Sequence, residues 1–244
     1  MLEATYATEA AIEETHWWFV GRRRLFAREL QAAGLRLDAR ILDLGTGTGS
    51  NLRMLRDLRF SAVEGLDMTE EAIRYCGEKG LGTVRRGSIC DIPFENGAFD
   101  AVLATDVIEH VEDDKRALAE LARIVKPGGT ALITVPAFPA LWGLQDEVAL
   151  HYRRYRMKPL LRFVRASGLS IVRAYHFNYL LFLPIWGARR VMRLARTRLA
   201  SEGQIRGPAL DRILSAVFTL DILTAPRLNM PFGVSILVRA TKPG

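Results

Sequence analysis

The stretch Ala39–Asn51, ARILDLGTGTGSN, constrains the rest of this chain most. An apolar run (Ile41, Leu42, Leu44) ends in Gly45-Thr46-Gly47-Thr48-Gly49, and a helical pattern begins at Ser50. Such a segment reads as a buried strand, a glycine turn and a helix N-terminus. Glycines at every second position let the backbone turn sharply and let a ligand come close to its N–H groups. Asp43 sets a carboxylate beside that turn. By itself the pattern also fits a strand that binds nothing, so its meaning depends on the residues C-terminal to it.

From residue 39 strands and helices alternate. The first strand, Arg40–Leu44, is followed by a helix near Ser50–Leu58 and a second strand, Ala62–Leu66, that ends at Asp67. Thr69 caps a helix with Glu70 and Glu71 in its first turn. A third strand is expected at Thr83–Ile89, leading into Cys90-Asp91-Ile92-Pro93. A fourth, Phe99–Thr105, ends in Asp106-Val107-Ile108-Glu109-His110. After a helix stopped by Lys126-Pro127-Gly128-Gly129 comes a fifth strand, Thr130–Val135. A polar aromatic segment (Leu141–Tyr155), a helix near Lys158–Ser167 and strands at Leu169–Ala174 and Val234–Ala240 complete the core. The expected fold is α/β, a doubly wound, mostly parallel sheet of seven strands with a ligand crevice at the strands' carboxyl ends. Residues 8–33 read as one capping helix. The expected division is 1–38 for that cap, 39–178 with 232–244 for the core, and 179–231 for a helical insertion.

Charge is unevenly spread. The net charge is +7, yet residues 151–206 hold thirteen Lys/Arg and a single acid, Glu202. Such asymmetry suits an anionic partner, lipid headgroups or nucleic acid, although a solvated arginine-rich face looks the same in sequence. Cys76 and Cys90 lack metal-type spacing and read as packed thiols of a reducing compartment. The acidic N-terminus has no apolar core of a signal peptide, and no apolar run reaches the roughly 18 residues of a membrane span. A cytoplasmic protein is expected.

Two further acids bear on the glycine turn. Asp67 ends the second strand, where a carboxylate bonds a ribose diol in doubly wound folds. Asp91 follows the third, where it can accept from an exocyclic amine while Ile92 packs on a base. A turn, a ribose acid and a base acid together describe an adenosine pocket. At this point the chain resembles the class I S-adenosylmethionine-dependent methyltransferases, with a Rossmann-like core. The matching segments are LDLGTGTG (42–49), GLDMTEEAI (65–73), CDIPFENGAFDAVLATDVIEHV (90–111) and LARIVKPGGTALITVP (121–136). The resemblance implies S-adenosylmethionine as methyl donor and S-adenosylhomocysteine as product. It implies that Asp43, Gly45, Thr46, Gly47 and Gly49 cradle the methionine part, Asp67 the ribose and Asp91 the adenine amine. Met68 and Ile92 would flank the adenine, with Thr105 and Asp106 under the sulfonium. More loosely, HWWF–GRR (16–23) and Asp146…His151-Tyr152-Arg153-Arg154-Tyr155 resemble small-molecule and lipid-type members. That likeness brings Trp17 or Trp18 and Arg22 or Arg23 near the methionine carboxylate.

Methyl transfer needs alignment, exclusion of water and, for a hydroxyl acceptor, a base. His110, after the fourth strand, and His151, in the polar loop, are the candidates, with Asp106 beside them. Asp146, Tyr152 and Tyr155 are candidate substrate contacts. His176 reads as a satisfied core histidine. With no H-x₃₋₅-H or C-x₂-C pair, no metal is expected. In the insertion, a helix over 185–199 projects Ile185, Ala188, Val191, Met192, Ala195 and Leu199 to one side. Arg189, Arg190, Arg193 and Arg196 fall opposite, an interfacial pattern that also fits packing on the core or on a second subunit. The leading expectation is O-methylation of a hydrophobic or lipid-linked acceptor, with peripheral contact to the inner membrane face. A nucleic-acid methyltransferase and a non-catalytic cofactor-binding scaffold are the alternatives. The first is disfavoured because ATDVIEH lacks the Asn/Asp-Pro-Pro-aromatic motif of base-nitrogen enzymes.

Overall fold

The glycine-ended strand is β1, Arg40–Leu44, in the interior of a seven-stranded sheet. The computed structural model describes residues 3–194 and 207–244. Before β1 come helices α1 (Glu3–Ile12) and α2 (Trp17–Ala32). After it follow α3 (Ser50–Asp57), β2 (Ala62–Asp67), α4 (Glu70–Glu78), β3 (Thr83–Arg86) and β4 (Phe99–Thr105). A 3-10 turn at Ile108–His110 leads to α5 (Asp114–Ile124), β5 (Val125–Pro136), α6 (Leu144–Val148) and α7 (Met157–Ala166). The chain closes with β6 (Ser170–Phe177), α8 (Phe182–Leu194), α9 (Pro208–Leu228) and β7 (Ser235–Thr241).

The sheet order is β3-β2-β1-β4-β5-β7-β6, parallel from β3 through β5, with β7 antiparallel to both neighbours. This is the expected doubly wound, mostly parallel α/β arrangement. The strand order reverses between β1 and β4, which opens a crevice at their carboxyl ends. Side chains alternate across the sheet. Leu42 and Leu44 face Leu118 and Leu121 of α5 and Val164 of α7, whereas Ile41 faces Phe26 of α2 and Leu55 of α3. Both faces are covered, which is why β1 and β4 are apolar apart from Arg40, Asp43, Asp100 and Thr105.

Three expectations are corrected. Residues 8–33 form two helices, not one. The chain breaks at Glu13–His16, where Glu13 turns into the glycine loop to meet Lys79 Nζ at 2.5 Å and the Thr48 hydroxyl. His16 then caps α2, its Nδ1 accepting from the Trp18 N–H at 3.3 Å. Strand β3 stops at Arg86 rather than Ile89, because the chain turns back in a bridge between Ser88 and Asp91. The arginine projection of α8 also fails at Arg189. That side chain is buried, donates to the Leu141 carbonyl and lies 3.7 Å from Asp146 Oδ2. Ala195, Arg196 and Leu199 lie outside the described residues. Among the described residues no helix is long and apolar enough to cross a membrane.

Candidate active site

The turn after β1 is held by backbone. Gly45 N–H donates to the Leu66 carbonyl at 2.8 Å, and Gly47 N–H donates to Asp67 Oδ2 at 3.0 Å. Gly47 has φ +56 and no atom within 4 Å of where a Cβ would sit, so its bare backbone borders open space. Beneath the turn, Asp43 is fully buried. Its Oδ1 accepts from Asn51 Nδ2 at 2.9 Å, and the same amide donates to Thr105 Oγ1 at 2.9 Å. Asp43 Oδ2 has no hydrogen-bond partner. Burial pushes this carboxyl up to about 7, against the lowering effect of the Asn51 bond.

Asp106 follows β4 in the left-handed region, φ +52, a conformation Asp adopts more readily than most residues. Its N–H donates to the Thr134 carbonyl at 2.9 Å, and its Oδ1 accepts from the Thr134 hydroxyl at 3.0 Å. Its other oxygen meets Arg22 of α2 at 2.8 Å. Arg22 also lies over the Trp18 ring, 5.6 Å from its centre. Trp18 in turn stacks on Phe177 and Phe218. Arg23 donates to the Glu13 carbonyl at 2.5 Å and to Ser50 Oγ at 2.8 Å, which ties α2 to the first turn of α3.

Glu109 and His110 sit in the 3-10 turn after β4, and His151 follows α6, forty-one residues beyond His110. The two imidazoles meet edge to face, ring centres 4.6 Å apart. His151 Nδ1 bonds Asp146 Oδ1 at 2.9 Å, and its Nε2 lies 4.0 Å from Glu109 Oε1. Burial disfavours charge on Asp146, but the hydrogen bond from His151 and the Arg154 guanidinium outweigh it and hold the carboxyl down at about 2. Burial, then the neighbouring His151, lowers His110 to about 4. Glu109 is fully buried and neither carboxylate oxygen has a hydrogen-bond partner. Burial and the nearby Asp106 charge raise its pKa well above the usual carboxylate range.

Arg22, Asn51, Asp106, Glu109, His110 and His151 share one cavity of about 770 Å³. One end is walled by Gly45–Thr48, Thr105 and Asp106. The other is apolar, with Trp17, Leu181, Ile185, Met192 and Leu214. Trp18, Arg23, Asp106, His110, Asp146 and His151 all line it, as does Thr46. Asp43, Gly49, Asp67, Met68, Asp91 and Ile92 do not, and the buried Asp43 reaches the cavity wall only through its bond to Asn51. Asp67 is nearly buried, its Oδ1 accepting from the Thr69 N–H and hydroxyl, and the Tyr6 hydroxyl of α1 bonds Thr69 at 2.9 Å. Met68 is exposed, and Ile92 lines a separate groove with Arg85 and Phe94. Tyr152 and Tyr155 stand away from the cavity: Tyr152 is exposed, and the buried Tyr155 hydroxyl donates to Asp114 at 3.0 Å. Both of Asp146's oxygens are engaged, by His151 and Arg154 on one and by Gly143 N–H on the other, so it positions neighbours.

Sequence reasoning passed over Asn51, Asn178 and Glu109 as individual site residues. Asn178 follows β6, is buried on the cavity wall, and neither atom of its amide group has a hydrogen-bond partner. Asp221 of α9 fixes that turn by accepting from the N–H groups of Asn178, Tyr179 and Leu180 at 2.7, 2.6 and 3.0 Å. Asn51 lies in the helix after the glycine turn, and one-turn spacing from Gly47 was the available signal.

The orphaned Asp43 oxygen and the open Gly47 backbone fit a ligand with a cationic, hydrogen-bonding end. Residues 42–133 match the methyltransferase domain family. The chain is 32% identical over 136 residues to the tRNA (carboxymethyluridine(34)-5-O)-methyltransferase alkbh8 of Xenopus tropicalis, covering 53% of this chain and 19% of that protein. It is 25% identical over 210 residues to the O-methyltransferase resE of Aspergillus sclerotiorum, covering 81% and 76%. The fold is shared with Haemonchus contortus phosphoethanolamine N-methyltransferase 2, solved with S-adenosyl-L-methionine. That match has a TM-score of 0.58 at 20% identity and covers 88% of this chain and 51% of that one. The chain spans 19% of the length of the first two curated relatives it matches. Residues 42–133 thus carry a methyltransferase domain, and the ordered motifs around the glycine turn and the sheet topology support a class I S-adenosylmethionine-dependent methyltransferase.

Proposed function

We propose that the protein is a methyltransferase acting on a hydroxyl oxygen of a hydrophobic or lipid-linked small molecule. The observation that carries this reading is the shape of the single cavity: a glycine-turn end, a carboxylate–imidazole flank and an apolar chamber are continuous. Asp43, the 45–49 turn and Arg22 would hold the amino-acid end of S-adenosylmethionine, and Asp67 its ribose. Admitting the ribose requires the α1 contact through Tyr6 and Thr69 to yield. When bound, that molecule supplies a methyl group on a sulfonium. The apolar wall of Trp17, Leu181, Ile185 and Met192 orients the acceptor and excludes water. The Glu109–His110–His151 cluster receives the acceptor's polar end and draws off its proton.

The peripheral-membrane reading moves from the arginines to apolar side chains. Leu183 and Val191 are 68% and 64% exposed on α8, and Trp186 lies under the Arg190 guanidinium at 5.0 Å. Such side chains with a neighbouring arginine suit an anionic bilayer surface at the cytoplasmic face.

The test is transfer of labelled methyl from S-adenosylmethionine to quinol, phenol and polyprenol-linked acceptors, with bulk RNA alongside. Labelled ether product from an apolar acceptor supports the reading, and labelling of RNA alone overturns it. Sedimentation with anionic vesicles that Leu183→Glu/Val191→Glu leaves unchanged removes the membrane surface.

A further inference from the structure

We propose that Glu109, His110 and His151 hold a divalent transition-metal cation at the acceptor end of the cavity. This rests on the reading of that cavity as the acceptor site. One ligand atom from each residue lies within 4.8 Å of the other two. A cation at their centre sits about 2.8 Å from each, so shifts of about 0.7 Å reach bonding distance. Contiguous spacing cannot reveal such a set, because His151 comes from a different loop.

Three features make this a built site. Glu109 is 0% exposed with both oxygens unbonded, and a buried carboxylate without donors calls for a positive partner. Both imidazoles are oriented from behind, as metal-bound histidines are. His151 is anchored through Nδ1 to Asp146, itself held by Arg154, and His110 bonds the Ala149 backbone. All three residues line the cavity. Two imidazoles and one carboxylate on one wall leave coordination positions facing the chamber, where an acceptor's oxygen would bind; in the loaded site the cation, in place of a free imidazole, would favour loss of the acceptor's proton to solvent. That nitrogen-rich set suits Mn²⁺, Fe²⁺, Co²⁺ or Zn²⁺ better than Ca²⁺ or Mg²⁺.

The test is titration of Mn²⁺, followed by electron paramagnetic resonance, and of Zn²⁺, followed by calorimetry, into chelator-treated full-length protein. Glu109→Gln, His110→Phe and His151→Gln are compared, with S-adenosylhomocysteine binding as the control for folding. One site of micromolar affinity is expected, weakened roughly 10- to 100-fold or more in each folded variant. Folded wild type that takes up neither ion below millimolar concentration overturns the proposal, as does uptake unchanged in all three variants. Cation uptake is read separately from methyl transfer. One-site uptake lost in the variants sustains the site even where no hydroxyl acceptor is methylated, and that second result would count against the hydroxyl reading alone.

Discussion

Arg22 of α2 reaches Asp106 just after β4, Nη2 to Oδ2 at 2.8 Å, and so bridges the N-terminal cap to the carboxyl edge of the sheet. The pair is largely buried, and Arg22 also stacks against Trp18 and Phe26. A carboxylate ligand entering beside the glycine turn would compete with Asp106 for this guanidinium. Arg22→Met keeps much of the apolar contact and removes the charge. Binding of S-adenosylhomocysteine should weaken by roughly 10- to 100-fold, the worth of a hydrogen bond to a charged group. Calorimetric affinity within twofold of wild type would remove Arg22 from the site.

Asp43 gives a pH dependence of defined sign. Its carboxyl titrates near 7 in the free protein, so it is partly protonated at neutral pH. A ligand ammonium bound against the turn favours the carboxylate. Affinity is therefore nearly complete by about pH 8 and falls as the pH drops through 7, by about tenfold between pH 8 and pH 6. Asp43→Asn should bind more weakly and show a flat profile over that interval. A wild-type profile as flat as the variant's would contradict the assignment.

Gly21 allows α2 and α9 to approach. A Cβ there would lie 2.1 Å from Cδ1 of Phe218, which is itself fully buried. Gly21→Ala should destabilise by about 1–3 kcal/mol through overpacking, despite alanine's better helix propensity. Phe218→Leu should recover part of that loss. Denaturant melts of the two single variants and the double variant decide it, and strict additivity would show that the contact is not the cause.

Asp221 accepts from three consecutive N–H groups and thereby sets the turn that aims Asn178 at the cavity. Asp221→Ala should cost about 2–4 kcal/mol of stability, since it strands buried donors. Asp221→Asn retains an acceptor and should cost less. If Asn178 contacts the acceptor, Asn178→Ala should raise the acceptor's KM while leaving S-adenosylhomocysteine affinity unaltered. A shift confined to S-adenosylhomocysteine affinity would place Asn178 at the other end of the cavity.

Much of the frame was legible in the chain. The βαβ alternation, the glycine turn and the cap at Thr69 are local events, written in side-chain period, φ freedom and short hydrogen bonds, and each recurs where expected. Asp106 is implied by the family resemblance, and His110 and His151 stand out by their places after β4 and in the polar loop; all three line the cavity. Tyr152 and Tyr155 were not separable from His151 by position, because neighbours along an irregular segment point wherever tertiary packing sends them. Tyr155 pairs with Ala137 and bonds Asp114 instead.

The sequence by itself determined the βαβ alternation, the glycine turn and the doubly wound fold class, since hydrophobic period and backbone conformation act within a few residues; the strand order and the antiparallel β7 came from the tertiary structure. Only the tertiary structure decided that Arg189 turns inward to Leu141 and Asp146, that Glu13 breaks the N-terminal helix to reach Thr48, and that Glu109 meets His151. Those outcomes come from burial: a charged group far from water takes whatever partner the packed chain brings near, and that partner is remote in sequence.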